Sequence, residues 1–164
     1  MTKTSLTILF ISTILLLGAC NNKTKGSMET STFNKENVIF PKGKKGSAEW
    51  FSGTVWVTNL MQPNENLTYA IGDVKFEPRA RTYWHIHPIE QILLVTEGKG
   101  YYQEKGKLAI SLHKGNVIVI PPNTEHWHGA TSDSHLIHVA ITNYKDDECV
   151  QWLQPVTEEE YNQL

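Results

Sequence analysis

The sequence predicts an all-β single domain, a small barrel or sandwich, closed by a short C-terminal helix. Three observations predict it. Residues 54–60, 67–76, 91–96, 100–103, 107–112, 117–120 and 136–142 are short runs rich in β-branched and aromatic side chains. Gly, Asn and Lys-Gly clusters bound them, with turns expected at Glu97-Gly98-Lys99-Gly100, Glu104-Lys105-Gly106 and His113-Lys114-Gly115-Asn116. Thr157, followed three residues later by Glu160, forms a capping box that opens the one expected helix.

Taken in chain order, the first segment is not fold. Lys3 gives a positive start, and residues 6–17 are almost unbroken apolar sequence. That run is too short to span a bilayer as a helix and fits the apolar region of a secretory signal. It ends in Leu17-Gly18-Ala19-Cys20, which resembles a bacterial lipobox. The resemblance implies cleavage after residue 19, a diacylglycerol on Cys20, and export to the envelope face of a bacterial membrane. Residues 20–36 are polar and read as a flexible tether. Residues 37–164 form the domain, long enough to bury a core of its own.

The formal net charge of −2 offers no basic face for nucleic acid. Of the two cysteines, lipidated Cys20 leaves Cys149 alone, so no intramolecular disulfide forms. Asp146, Asp147 and Glu148 work against a thiolate at Cys149, which therefore reads as structural. Residues 40–51, with two aromatics among turn formers, read as an arm that packs on a second subunit, giving a homodimer.

His85 and His87 are two apart, so on a strand both project from one face. Gln91 follows four residues later, and His126 returns from a distant strand to complete a three-imidazole set. Imidazole and oxygen donors suit Mn, Fe, Ni or Zn. Glu90 points to the opposite face of a regular strand, so Gln91 is the fourth ligand. His128 shares a face with His126, and His138 sits on the last barrel strand between Leu136 and Ala140, turned inward. His113 and His135 fall in turns and are solvated. Tyr83 and Trp84 either line the barrel mouth or pack outside it.

Two stretches, His85-Ile86-His87 through Gln91 to Gly98 and Gly115 through Pro121-Pro122-Asn123 to His126, resemble the two motifs of the cupin superfamily in order and spacing, over residues 66–142. The resemblance implies a double-stranded β-helix, or jelly-roll barrel. Four positions depart from the pattern. Arg79 stands for a Gly, so its turn must avoid the left-handed conformation. Asn123 stands for another Gly, which Asn tolerates. Ala130 stands for an Asn, and Gln91 for a Glu ligand. Three imidazoles and an amide leave a cation's charge uncompensated and make it a stronger Lewis acid.

The run Arg81–Pro88, then His126-Trp127-His128-Gly129-Ala130, His138, Trp152 and residues 156–161, is similar to a narrower group that includes small bacterial manganese-dependent hydroxynitrile lyases. That resemblance implies Mn first, metal ligands at His85, His87, Gln91 and His126, and active-site polar groups at Thr82, His128 and His138. The expected function is a metal-dependent enzyme acting on a small hydroxy- or oxo-compound, with C–C bond cleavage or formation by Lewis-acid and histidine acid/base catalysis. Two alternatives stand beside it: a cupin dioxygenase or isomerase, and a non-catalytic metal- or small-ligand-binding cupin at the cell surface.

Overall fold

A computed structural model describes residues 39–164, so the signal peptide expected at residues 1–19 and the tether expected at residues 20–36 lie outside the described residues. Twelve strands and one helix follow: β1 (Lys44–Lys45), β2 (Phe51–Ser52), β3 (Val55–Met61), β4 (Tyr69–Phe76), β5 (Arg81–Thr82), β6 (His85–Ile86), β7 (Gln91–Glu104), β8 (Ile110–His113), β9 (Val117–Ile120), β10 (His126–Ala130), β11 (Leu136–Asn143), β12 (Gln151–Trp152) and α1 (Glu158–Asn162). Every pairing is antiparallel.

The sheet is built around β7. Its first half pairs with β11 and β9, and its second half with β10 and β8. Beyond β11 the order runs β4, β3, β1; beyond β10 it runs β5, β2, with β6 on β10 and β12 on β6. The turn expected at residues 97–100 is thus one continuous strand. Gly98 takes φ +78°, and the register with β11 slips between Ile137 and His138. The slip leaves Thr96 as the bulged residue, and this bulge together with the left-handed Gly98 bends the strand there and carries it from one set of partners to the other. Gly98 has no alternative, because a methyl group on it would lie 1.9 Å from the His135 carbonyl oxygen.

Strand β10 was expected only as the distant strand that brings His126 and His128, without bounds from residue pattern. Its sequence, His-Trp-His-Gly-Ala, has no β-branched residue, yet all five positions are buried and it pairs with β5, β6 and β7. Neighbours on both edges, rather than propensity, hold it extended. Residues 44–45 and 51–52, within the segment read as an intersubunit arm, pair with β3 and β5 of their own chain.

Arg79 corrects a second expectation, since its φ of 67° is left-handed. Its backbone N–H donates to the Thr131 carbonyl at 3.0 Å, and its guanidinium donates to Glu158 at 2.7 Å and Asn162 at 3.0 Å, which offsets the strain. Asn123 takes φ 59°, as expected.

The main core includes Phe76, Leu93, Leu112, Ile120 and Leu136, all fully buried. A second cluster joins Trp84 and Trp127 to Val156 and Tyr161, so Trp84 packs against the C-terminal segment. That segment opens with the expected capping box: Thr157 Oγ1 accepts from the Glu160 N–H at 3.1 Å, and Glu160 Oε2 accepts from the Thr157 N–H at 2.9 Å. Tyr161 donates to the Ala130 carbonyl, and buried Arg81 donates to the Val156 carbonyl and to Glu158. The helix is thereby tied to β5 and β10, the two strands that present Thr82, His126 and His128.

Candidate functional site

Against this core lies a cavity of about 240 Å³, with Phe76 common to both. Thr82, His85, His87, Gln91, His128 and His138 line it, and His126 lies directly behind His85, its cross-strand partner. All seven are buried. The two halves of the barrel divide the work: β5, β6 and β10 bring Thr82, His85, His126 and His128, while β7 and β11 bring Gln91 and His138 from the opposite wall.

Three imidazoles share one device. Nδ1 of His85 is 2.9 Å from the Tyr83 carbonyl, Nδ1 of His126 is 2.8 Å from the Thr124 carbonyl, and Nδ1 of His87 contacts the Cys149 carbonyl. A carbonyl oxygen only accepts, so each Nδ1 carries the proton and each Nε2 keeps its lone pair. For His87 and His126 that Nε2 is buried without a hydrogen-bond partner, and so is Oε1 of Gln91. The Gln91 amide is oriented because its Nε2 donates to Thr142 Oγ1 at 3.0 Å. Orphaned acceptors in a buried cluster are what a cation satisfies, and imidazoles held through their far nitrogen are the usual arrangement of metal ligands.

Ligand atoms of His85, His126 and His128 lie within 4.8 Å of one another, so three buried histidines are placed to bind a divalent metal. The His87 ring stands beside this triple, with its centroid 5.1 Å from that of His85 and 5.5 Å from that of His126. The sequence had grouped His87 and Gln91, not His128, with His85 and His126. His128 also meets His138 across the lumen, Nδ1 to Nε2 at 3.2 Å, and Nδ1 of His138 is buried without a partner. Thr82 Oγ1 accepts from the backbone N–H of His128 at 3.1 Å, leaving its own hydroxyl hydrogen free to donate.

Burial keeps these rings neutral. It is the largest influence on each, holding His85 and His128 well below the ordinary imidazole value, lowering His87, and bringing His126 and His138 to about 4. Neighbouring imidazoles add to the effect, His126 and His87 on His85, and His138 on His128. Neutral imidazoles are the form that binds metals and accepts protons.

The remaining predicted features fall as follows. Glu90 turns away and accepts from Asn143, His113 is exposed, and His135 is partly exposed and paired with Glu97. The sequence placed Trp152 in the narrower resemblance but not in the site, where its ring lies 4.9 Å from that of His85 and stacks on Trp50. Nor did it reveal the apolar wall of Phe51, Val57, Val74 and Phe76, which strand alternation alone places only once the register is known.

Comparison with known proteins agrees with this architecture. A family model described as "Cupin domain" matches residues 72–142. The chain is 42% identical over 117 residues to an (R)-mandelonitrile lyase of Granulicella tundricola, covering 71% of this chain and 89% of that protein. It is 50% identical to a cupin-like protein of Thermotoga maritima MSB8 whose crystal structure superposes with a TM-score of 0.74, over 77% of this chain and 96% of that one. A cupin-2 domain protein of Rhodospirillum rubrum shares the fold at 19% identity, with a TM-score of 0.56 over 79% and 85% of the two chains.

Proposed function

The chain belongs to the cupin superfamily, and from that premise we propose that it is a metal-dependent enzyme making or breaking a C–C bond next to a hydroxyl or carbonyl, in the manner of a hydroxynitrile lyase. The observation that carries this reading is the set of lone pairs left free at His87 Nε2, His126 Nε2 and Gln91 Oε1 beside a buried His128–His138 pair. His85, His87, Gln91 and His126 would hold the ion, with Mn first and Fe, Ni or Zn as other occupants of the same donor set. A divalent cation in that all-neutral set supplies Lewis-acid stabilisation of negative charge developing on cyanide or on the substrate oxygen.

The chain's own groups handle the proton. With Nε2–H of His138 donating to Nδ1 of His128, Nδ1 of His138 presents a lone pair and takes the hydroxyl proton of a cyanohydrin. The C–O bond becomes a carbonyl, the C–C bond breaks, and its electrons leave with cyanide. The Nε2 proton of His138 passes to His128 Nδ1, and the Nε2 proton of His128 passes to cyanide. Both rings exchange tautomers and neither carries a lasting charge, which suits a site where burial disfavours imidazolium. The Thr82 hydroxyl donates to the substrate oxygen. Export on a lipidated Cys20 and assembly as a homodimer complete the proposal.

The test is elemental analysis of the chain expressed without its first 25 residues, paired with release of aldehyde from a cyanohydrin such as mandelonitrile. About one metal per chain, lost in His87→Ala, with turnover lost in His138→Ala while metal is retained, is the expected result. Full turnover in both His128→Ala and His138→Ala would sink the scheme.

A further inference from the structure

The cavity has a nucleophile that the proposed chemistry does not use. Cys149, which the sequence reads as structural, is the one cysteine among the described residues, and its place in the fold corrects that reading: its thiol is free and half-buried, and it lines the same cavity as His85, His87 and Gln91. It follows a tight turn in which Lys145 and Glu148 pair and Asp146 and Asp147 both take left-handed φ, of 51° and 67°. The Tyr144 hydroxyl lies against its thiol, and that contact, with burial, raises Tyr144 to about 12. The Cys149 carbonyl accepts from Nδ1 of His87. A second observation, independent of the thiol, marks this wall as one that faces a ligand: His87 Nε2 and Gln91 Oε1, exposed by only 4% and 5%, end in the cavity unpartnered.

We propose that Cys149 is a covalent modification site for small uncharged thiol-reactive molecules, low-molecular-weight disulfides above all, and that its modification disables the donor set through His87. The exchange balances without a further reactant. The Cys149 thiol gives up its proton as its sulfur attacks one sulfur of the disulfide, a new S–S bond forms, the old one breaks, and the other half leaves and takes up that proton as a thiol. A free thiol reverses the step. An added thioalkyl group has two places to go, into the 240 Å³ cavity or outward with displacement of the turn. The first fills the space beside His87, and the second draws the carbonyl from His87 Nδ1.

The experiment treats the folded chain with methyl methanethiosulfonate and follows three quantities: intact mass, metal content, and the side-chain nitrogen resonances of His87 in a labelled sample. The expected result is one methylthio group per chain, absent in Cys149→Ser, with metal content falling severalfold and returning after dithiothreitol. The His87 resonances shift in the metal-free protein as well. That last measurement keeps the proposal separate from the metal reading: if the untreated chain binds no metal, the metal reading fails, and the His87 shift alone decides the fate of this one. A thiol that reacts only after unfolding, or a methylthiolated chain with His87 and metal content unchanged, overturns it.

Discussion

Gln91 carries no charge, and this governs how a cation would sit among its neighbours. Its amide oxygen is the unpartnered end, while its NH₂ is spent on Thr142. Gln91→Glu puts a full negative charge at that oxygen. We expect metal to be held at least on the order of tenfold more tightly, because a charge pair replaces a charge–dipole contact in a poorly solvated place. Turnover should fall, since the ion's Lewis acidity is then partly quenched. Metal titration of the stripped protein, alongside cyanohydrin cleavage, checks both signs; weaker binding would contradict the assignment of Gln91 as a donor. Thr82 gives a test on stability. Thr82→Val leaves the buried N–H of His128 without an acceptor, costing about 1–3 kcal/mol, whereas Thr82→Ser keeps the acceptor and most of the stability. Urea melts of the two variants separate loss of the hydrogen bond from loss of the methyl group. The side chains of this site were legible in the sequence because residue type and spacing carry them. The carbonyls of Tyr83, Thr124 and Cys149 that set each tautomer were not, since every residue has a carbonyl and only the fold aims it.

At the scale of elements, the strands that alternate β-branched residues over one buried face were readable, and β9 and β11 lie almost where the pattern put them. The failures share a cause. Gly98 was read as a turn because a glycine flanked by polar residues serves a hairpin turn and a left-handed bend within a strand equally well, and only pairing partners distinguish them. Strand β10, invoked as the carrier of His126, was not delimited because its sequence suits a functional lumen rather than a pleated surface. These differences have measurable consequences. Gly98→Ala forces a side chain into a left-handed conformation and against the His135 carbonyl, so a loss of roughly 3 kcal/mol or more is expected, with poor soluble yield. The C-terminal helix is five residues long and too short to stand by itself, so its capping box and its ties to Arg81 and Ala130 must hold it. Thr157→Ala removes the cap and should cost about 1 kcal/mol. If thermal melts of Thr157→Ala match those of the parent chain, the helix is held by Tyr161 and Arg81 alone.

At the scale of the molecule, the site sets a limit on the acid stability of the barrel. Five histidines are buried among one another, and in the metal-free chain all are held below the ordinary imidazole value of about 6.5. The sign of the linkage follows from which state binds more protons. Between roughly pH 6.5 and the native values, which reach about 4 for His126 and His138, the unfolded chain is protonated at these positions and the native chain is not. Stability therefore rises with pH across that window, by about 1.4 kcal/mol per pH unit for each such proton, and is fully present above it. The metal-free chain should melt at distinctly lower temperature at pH 5 than at pH 7.5, with little change between 7.5 and 8.5. His138→Gln, which cannot be protonated, should flatten the slope by about one proton. Bound metal should raise the melting temperature most at pH 7.5 and lose its effect as acid protonates the donors, because ion and protons compete for the same lone pairs. Thermal melts with and without chelator at four or five pH values test the whole scheme. A metal-free chain that is more stable at pH 5 than at 7.5 would mean that these imidazoles are charged in the folded barrel, and a cluster of charged imidazoles is neither a metal site nor a base.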